Sequence, residues 1–235
     1  LHYPPINRYY LDKFFNKQMA GNIHNSSTSR TKIRRLPELA NHDQEMLHAI
    51  IDEAYICHIA FSAGNDVHCI PTAHWRLGNS IYIHGANGSR VVKALLSGAV
   101  ASVAITHLDG LVLAKAAFNH GMNYRSAVIY GSFEIIESDE EKLIAFDHFM
   151  EKISKDRKDE ARRGDAKELA ATALLKLSLE EAAVKVSNAT PSDSEKDMDR
   201  QVWTGVLPLA VRRKSPICSD NGSIAVPEYI QHWED

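Results

Sequence analysis

Between residues 55 and 137 the chain is cut into short runs of branched and aromatic residues, each closed by a turn-forming group: Gly64-Asn65-Asp66, Gly78-Asn79, Asn87-Gly88 and Asp109-Gly110. Gly and Asn supply the positive φ of tight hairpins, and runs this short suit strands better than helices. No βαβ rhythm of about 30 residues emerges, which argues against a parallel sheet. The expectation is mainly β structure, with about eight antiparallel strands and three or four peripheral helices. So many short strands leave exposed edges unless the sheet curls on itself, so a single barrel-like domain follows.

Residues 1–35 mix Tyr3, Tyr9, Tyr10, Phe14 and Phe15 with a polar run and show no period, so they read as an extended N-terminal arm. The domain itself is expected over residues 36–212 and a C-terminal tail over 213–235. Met46, Leu47, Ile50 and Ile51 mark one face of a helix that ends near Glu53. Segments 55–62 and 67–76 form a hairpin, which residues 80–84 extend into a meander. Residues 89–96 read as a short helix burying Val91, Val92, Leu95 and Leu96. Runs 100–107, 111–118 and 124–137 read as strands, the first two parted by a turn at Asp109-Gly110. Ser138-Asp139-Glu140-Glu141 matches a capping box and opens a helix bearing Leu143, Ile144, Phe146, Phe149 and Ile153. A second helix over 165–177, a strand over 182–186 and a final core strand over 201–211 complete the expected order.

Lys and Arg number 27 against 30 Asp and Glu, a net charge of −3, without the basic excess of a nucleic-acid binder. No apolar run approaches the roughly 18 residues of a membrane span. The opening Leu1-His2-Tyr3-Pro4-Pro5 lacks signal-peptide character, and the three cysteines are too scattered for a disulfide framework, so a cytoplasmic location is expected. Cys57-His58 and His68-Cys69 invite a metal reading. If Ser62 pairs with Val67, however, alternation puts His58 with Cys69 on one face and Cys57 with His68 on the other, so no metal site is expected. The most informative stretch is His84-Gly85-Ala86-Asn87-Gly88-Ser89-Arg90, a glycine-bearing break opening onto a helix. Backbone N–H groups, the Ser89 hydroxyl and the Arg90 guanidinium there suit a phosphate, although the same pattern also fits an ordinary strand-to-helix turn.

Three blocks then carry a resemblance. They are Ile70-Pro71-Thr72-Ala73-His74-Trp75-Arg76 with Ser80-Ile81-Tyr82-Ile83-His84-Gly85 and Ser89-Arg90; Leu108-Asp109-Gly110-Leu111-Val112-Leu113-Ala114; and Asn119-His120-Gly121-Met122-Asn123-Tyr124-Arg125-Ser126-Ala127. Together they resemble the FMN-binding split-barrel proteins related to pyridoxamine 5′-phosphate oxidase, in particular the branch holding nitroimidazole-resistance proteins, over about residues 36–212. The resemblance implies an antiparallel split β-barrel and a homodimer with FMN at the subunit interface. It implies that Ser89 and Arg90 hold the phosphate, helped by Lys93, with His74 as a cationic ligand and His84 and Gly85 also contacting the cofactor. Pro71, Thr72 and Ala73 would line the isoalloxazine, and Ser126 would touch it. With His74 in place of a lysine, binding would weaken as pH rises through neutrality. Tyr124 and Arg125 are candidates to bind or polarise a substrate, with strand packing and an ion pair as the alternative.

The C-terminal signature of true pyridoxamine phosphate oxidases is not evident around Trp203 and Arg212. The leading expectation is therefore an FMN-dependent oxidoreductase acting on a small molecule such as a nitro-aromatic. The alternatives are a flavin-binding store or sensor without turnover, and a haem-binding split barrel.

Overall fold

Ser62 faces Val67 across the first hairpin, in the register the sequence suggested, and Gly64 turns it at φ 63°. A computed structural model describes residues 28–219 and 224–233; most of the expected N-terminal arm lies outside the described residues. The chain runs β1 (Ala40–Asn41), α1 (Gln44–Glu53), β2 (Ile56–Ala63), β3 (Asp66–Ala73), β4 (Trp75–Leu77), β5 (Ser80–Ala86), α2 (Arg90–Leu96), β6 (Val100–Leu113), β7 (Gly121–Ser132) and β8 (Glu134–Ile135). It continues through α3 (Asp139–Ile153), α4 (Ala166–Ala171), β9 (Thr172–Ser178), β10 (Ala182–Ser187), β11 (Gly205–Pro208) and α5 (Glu228–Gln231).

The strands form two antiparallel sheets, ordered β1-β10-β7-β6-β2-β3, with β11 on β6, and β4-β5-β9-β8. Neither closes into a barrel. β3 remains a free edge, so the complete closure expected from edge avoidance is replaced by two sheets packed over one core. The meander expectation fails at His74, where the chain leaves the first sheet after β3 and enters the second as β4. Met46, Leu47, Ile50 and Ile51 on α1, Val92 and Leu95 on α2, and Ile59, Val103, Ile129, Ile83 and Leu175 from both sheets share the main core. Leu96 is exposed instead, one residue too far round the helix.

Two further departures have plain causes. Residues 172–178 are not the end of a helix but β9, one of the two inner strands of the four-stranded sheet; α4 stops at Ala171. Its face bearing Ala173, Leu175 and Leu177 enters the main core while Leu174 packs on Trp75 and Ile136, so both faces are apolar and the period-2 signal is erased. Asp109-Gly110 is not a turn but an irregularity within the continuous strand β6, whose pairing with β7 shifts between Leu108 and Gly110. A Cβ at Gly110 would meet Val206 Cγ1 at 3.0 Å and the Leu207 carbonyl oxygen at 3.2 Å, so its absence lets β11 lie close. The last strand is correspondingly short and half exposed rather than part of the core.

The α3 start is capped as expected, Ser138 Oγ accepting from the Glu141 N–H, while the full reciprocal box forms at Asp165 and Glu168 on α4. Among the described residues no helix is long and apolar enough to cross a membrane. Gly131 offers a test of the sheet contact: its φ is 151°, and a Cβ there would sit 2.7 Å from Leu177 Cδ1. Gly131→Ala should lower stability by about 1–3 kcal/mol, the cost of one residue in a conformation L side chains avoid plus a displaced leucine. An unchanged denaturation midpoint would show that the two sheets yield there.

Candidate cofactor site

The β4–β5 hairpin pairs Leu77 with Ser80 and Trp75 with Tyr82. β3, which ends at Ala73, touches β5. The strand carrying Pro71, Thr72 and Ala73 thus contacts the strand that leads into Ser89 and Arg90. As β3 pairs on one side only, with β2, its other side offers unpaired backbone groups, and a proline is tolerated there.

Ser89 is the N-cap of α2, its Oγ accepting from the Val92 N–H at 3.3 Å, which leaves its O–H free to donate. A Cβ on Gly85 would meet Val92 at 3.0 Å, so the end of β5 packs closely on the helix start. Arg90 is exposed and makes no hydrogen bond or ion pair with the described residues; Lys93, one turn on, is equally uncommitted. α2 has only seven residues, so these two cations outweigh its small dipole as the attraction for an anion.

His74 is corrected as a cationic phosphate ligand. It is fully buried, its Nε2–H donates to the Ile51 carbonyl at 3.0 Å, and its Nδ1 is enclosed without a partner. Burial, reinforced by the nearby Lys152 ammonium, pushes its pKa down to about 4. A neutral imidazole caps the end of α1 here, so the expected pH-dependent phosphate contact goes with the charge. The effect of pH moves to stability. Because an unfolded His titrates near 6.5, the unfolded chain binds the extra proton between that value and about 4. The contribution of neutral His74 is complete above pH 6.5 and is lost as pH falls toward 4, on the order of 3 kcal/mol in all. Urea unfolding from pH 4.5 to 7.5 should show this slope in the wild type and a shallower one in His74→Gln; parallel curves would refute it.

His84 sits in an aromatic cluster with ring centroids of Trp75, Phe146 and Phe149 at 5.9, 5.8 and 5.3 Å. Its Nδ1 and Trp75 Nε1 are buried without partners, and burial lowers its pKa. Phe146 and Phe149, three apart on α3, stand out in the sequence as helix core; nothing in their spacing showed that they would enclose His84. Ser126 lies outside this cluster, three strands from Ala73, with its Oγ donating to the Lys185 carbonyl at 3.4 Å.

Arg125 is committed to packing rather than free for a substrate. Asp109 accepts from it at 2.9 Å through both oxygens, and Glu53 at 2.5 and 3.1 Å. The two carboxylates raise its pKa, and Arg125 in turn holds Glu53 low. The clamp ties α1 to β6 and β7. Tyr124, half-buried, points to the opposite face of β7. Cys57 is buried and His58 exposed on β2, the two-faced arrangement that alternation requires, and among the described residues no cluster of three metal-ligating side chains forms. A cleft of about 500 Å³ lies elsewhere, between the end of α3 and the C-terminal segment.

The pyridoxamine 5′-phosphate oxidase family model matches residues 43–186, so the chain belongs to that family. Two solved structures are similar over nearly their whole length. A FAD- and haem-binding protein from Mycobacterium smegmatis is 30% identical with a TM-score of 0.79, covering 83% of this chain and 97% of its own. A flavocytochrome from Azotobacter vinelandii is 31% identical with a TM-score of 0.82, covering 88% of this chain and 97% of its own. A Bacteroides thetaiotaomicron protein assigned to 5-nitroimidazole antibiotic resistance is 19% identical with a TM-score of 0.54, covering 63% and 86%, and bears on the fold alone. No curated protein matches the chain.

Proposed function

We propose that this protein is a flavin-dependent oxidoreductase of the cytoplasm. The observation that carries the reading is Arg90, a guanidinium without a partner among the described residues, beside a free Ser89 O–H and one turn from Lys93, just after β5, the strand that touches β3. Arg90, Lys93 and Ser89 would hold the flavin phosphate, and the backbone of Pro71, Thr72 and Ala73 would support the ring. A bound flavin supplies hydride or electron transfer; the chain binds, orients and shields it. The phosphate seat serves FMN, the sequence expectation, and equally the first phosphate of FAD, which the Mycobacterium protein's name specifies. Acid release from purified protein followed by mass determination distinguishes the two, and a chain that takes up neither flavin would overturn the reading.

The flavin pocket is completed by a second copy. The outer face of the larger sheet carries Ile56, Val67, Val100 and Leu108, each 44% exposed or more, among small residues such as Ala60 and Ala104. Such an apolar face suits a two-fold interface. Sedimentation of the flavin-loaded protein at the mass of one chain would contradict it.

A second reading adds haem. The His84 side chain forms no hydrogen bond with the described residues and lies among Trp75, Phe146 and Phe149, and both structures above are named for haem or cytochrome. An axial histidine ordinarily has its second nitrogen held, whereas Nδ1 here has no partner, so the fit is partial. A Soret band that disappears in His84→Ala would support haem; a flavin spectrum without one would remove it.

A further inference from the structure

Side chains alternate across a strand, so the buried Cys57, Ile59 and Phe61 leave the other residues of β2 on the outer face of the larger sheet. The same parity holds on its neighbours through their register. Among the described residues, no Asp, Glu, Lys or Arg takes an outward position from Ile56 to Ser62 on β2, Val67 to Ala73 on β3, Val100 to Leu108 on β6 or Tyr124 to Tyr130 on β7. In a chain that is 24% charged, a face of that size would ordinarily hold several such residues. Depletion of charge is what sets the core of an interface apart from other surface. With β10 included, strands spaced about 4.8 Å apart and about eight residues long span roughly 600 Å² per copy. Two such faces reach about 1,200 Å² in total, the lower bound of specific, stable interfaces.

Within that neutral face stands one imidazole. His58 is exposed and outward, whereas His68 lies against the Phe61 ring at 5.4 Å on the inner side and His107 holds the Ile50 carbonyl. The row through His58 runs from Pro71 on β3 through Ala104 on β6 and Val128 on β7 to Ala183 on β10. Ile56 and Ala60 flank it along its own strand. The ionisable groups that share the face are the Cys69 thiol on β3, the Tyr124 and Tyr130 phenols on β7 and Lys185 on β10, whose ammonium donates to the Arg35 carbonyl at 3.1 Å. At the rim, Arg30 covers Tyr130 at 5.2 Å and is paired with Glu181. No carboxylate faces the imidazole from β2, β3, β6 or β7. A two-fold contact would set this face against itself. A neutral imidazole is then buried at small cost, while an imidazolium loses its water and meets no counter-charge.

We propose that a second copy of this chain docks on this face and that protonation of His58 releases it, so that the flavin pocket is held together at neutral pH and comes apart in acid. The inference rests on the reading that a second copy completes the pocket. Because association costs the charged ring more than the neutral one, separate copies bind more protons than the pair, and the pair weakens as pH falls. Each pair buries two imidazoles, one from each copy, so the dependence is steeper than for a single group.

The test is sedimentation equilibrium of the full chain at pH 8 and pH 5.5, with circular dichroism on the same samples. The dimer dissociation constant should rise tenfold or more from pH 8 to pH 5.5 while the chain stays folded. His58→Gln should abolish that rise. His58→Lys, charged at both pH values, should pair tenfold or more weakly even at pH 8. A constant that ignores pH, a rise that persists in His58→Gln, or a His58→Lys chain that pairs like the wild type would overturn the proposal. So would loss of the β signal at pH 5.5, which would assign the release to unfolding. A wild type that is monomeric at pH 8 would overturn the second-copy reading as well, whereas the outcomes above strike the His58 inference alone. Flavin absorbance is read separately, and its absence would count against the flavin reading and leave the pairing result standing.

Discussion

Arg90→Ala is expected to weaken flavin binding roughly 10- to 150-fold, the about 1.5–3 kcal/mol carried by a hydrogen-bonded contact to a charged group. Among the described residues the guanidinium has no carboxylate partner to lose, so its removal leaves no buried orphan and folding stability should hardly move. That separation makes the variant informative. Arg90→Lys should recover part of the loss, because a point charge replaces a bidentate fork. Dissociation constants and urea midpoints for the three proteins settle the matter: unchanged flavin affinity in Arg90→Ala would place the phosphate elsewhere.

Trp75→Ala should be the most damaging single change to the fold, at about 3–5 kcal/mol, the cost of truncating a buried large aromatic. The residue is 1% exposed and stacks on Phe149 at 4.6 Å, with Tyr82 and Phe146 at 6.0 and 6.1 Å. It joins α3 to the outer face of the smaller sheet. Trp75→Phe should cost far less, because the indole N–H it removes is already buried without a partner. Equal destabilisation by the two substitutions would mean that this nitrogen has a partner in solution.

The strands around Gly64 and the capped helix at Ser89 were legible because they depend on local rules: alternation, turn residues, a hydroxyl at an N-cap. The role of His74 was not. A histidine before a tryptophan in a strand-like run carries no mark of burial, and only the approach of α1, about 20 residues earlier in the chain, turns it from a ligand into a cap. β9 was misread for a similar reason. Its Ala and Leu favour helix locally, and the decision is made by β5, which pairs with it, and by Trp75, which packs on Leu174, both far earlier in the chain. Arg125 was seen as a residue of interest, but the carboxylates that claim it, Glu53 and Asp109, come from separate elements.

The order of strands in the larger sheet also bears on how the protein is made. Ala40 pairs with Lys185, and β9, the inner strand beside β5 in the smaller sheet, begins only at Thr172. At about 5–20 residues per second, roughly seven to thirty seconds separate synthesis of the first strand from that of its partner. Within that interval, from the completion of β5 at Ala86 to the arrival of β9, β5 has β4 on one side and a bare edge on the other. Nascent chains stalled before residue 172 should therefore be the ones that chaperones hold, and those released beyond residue 187 the ones that resist protease.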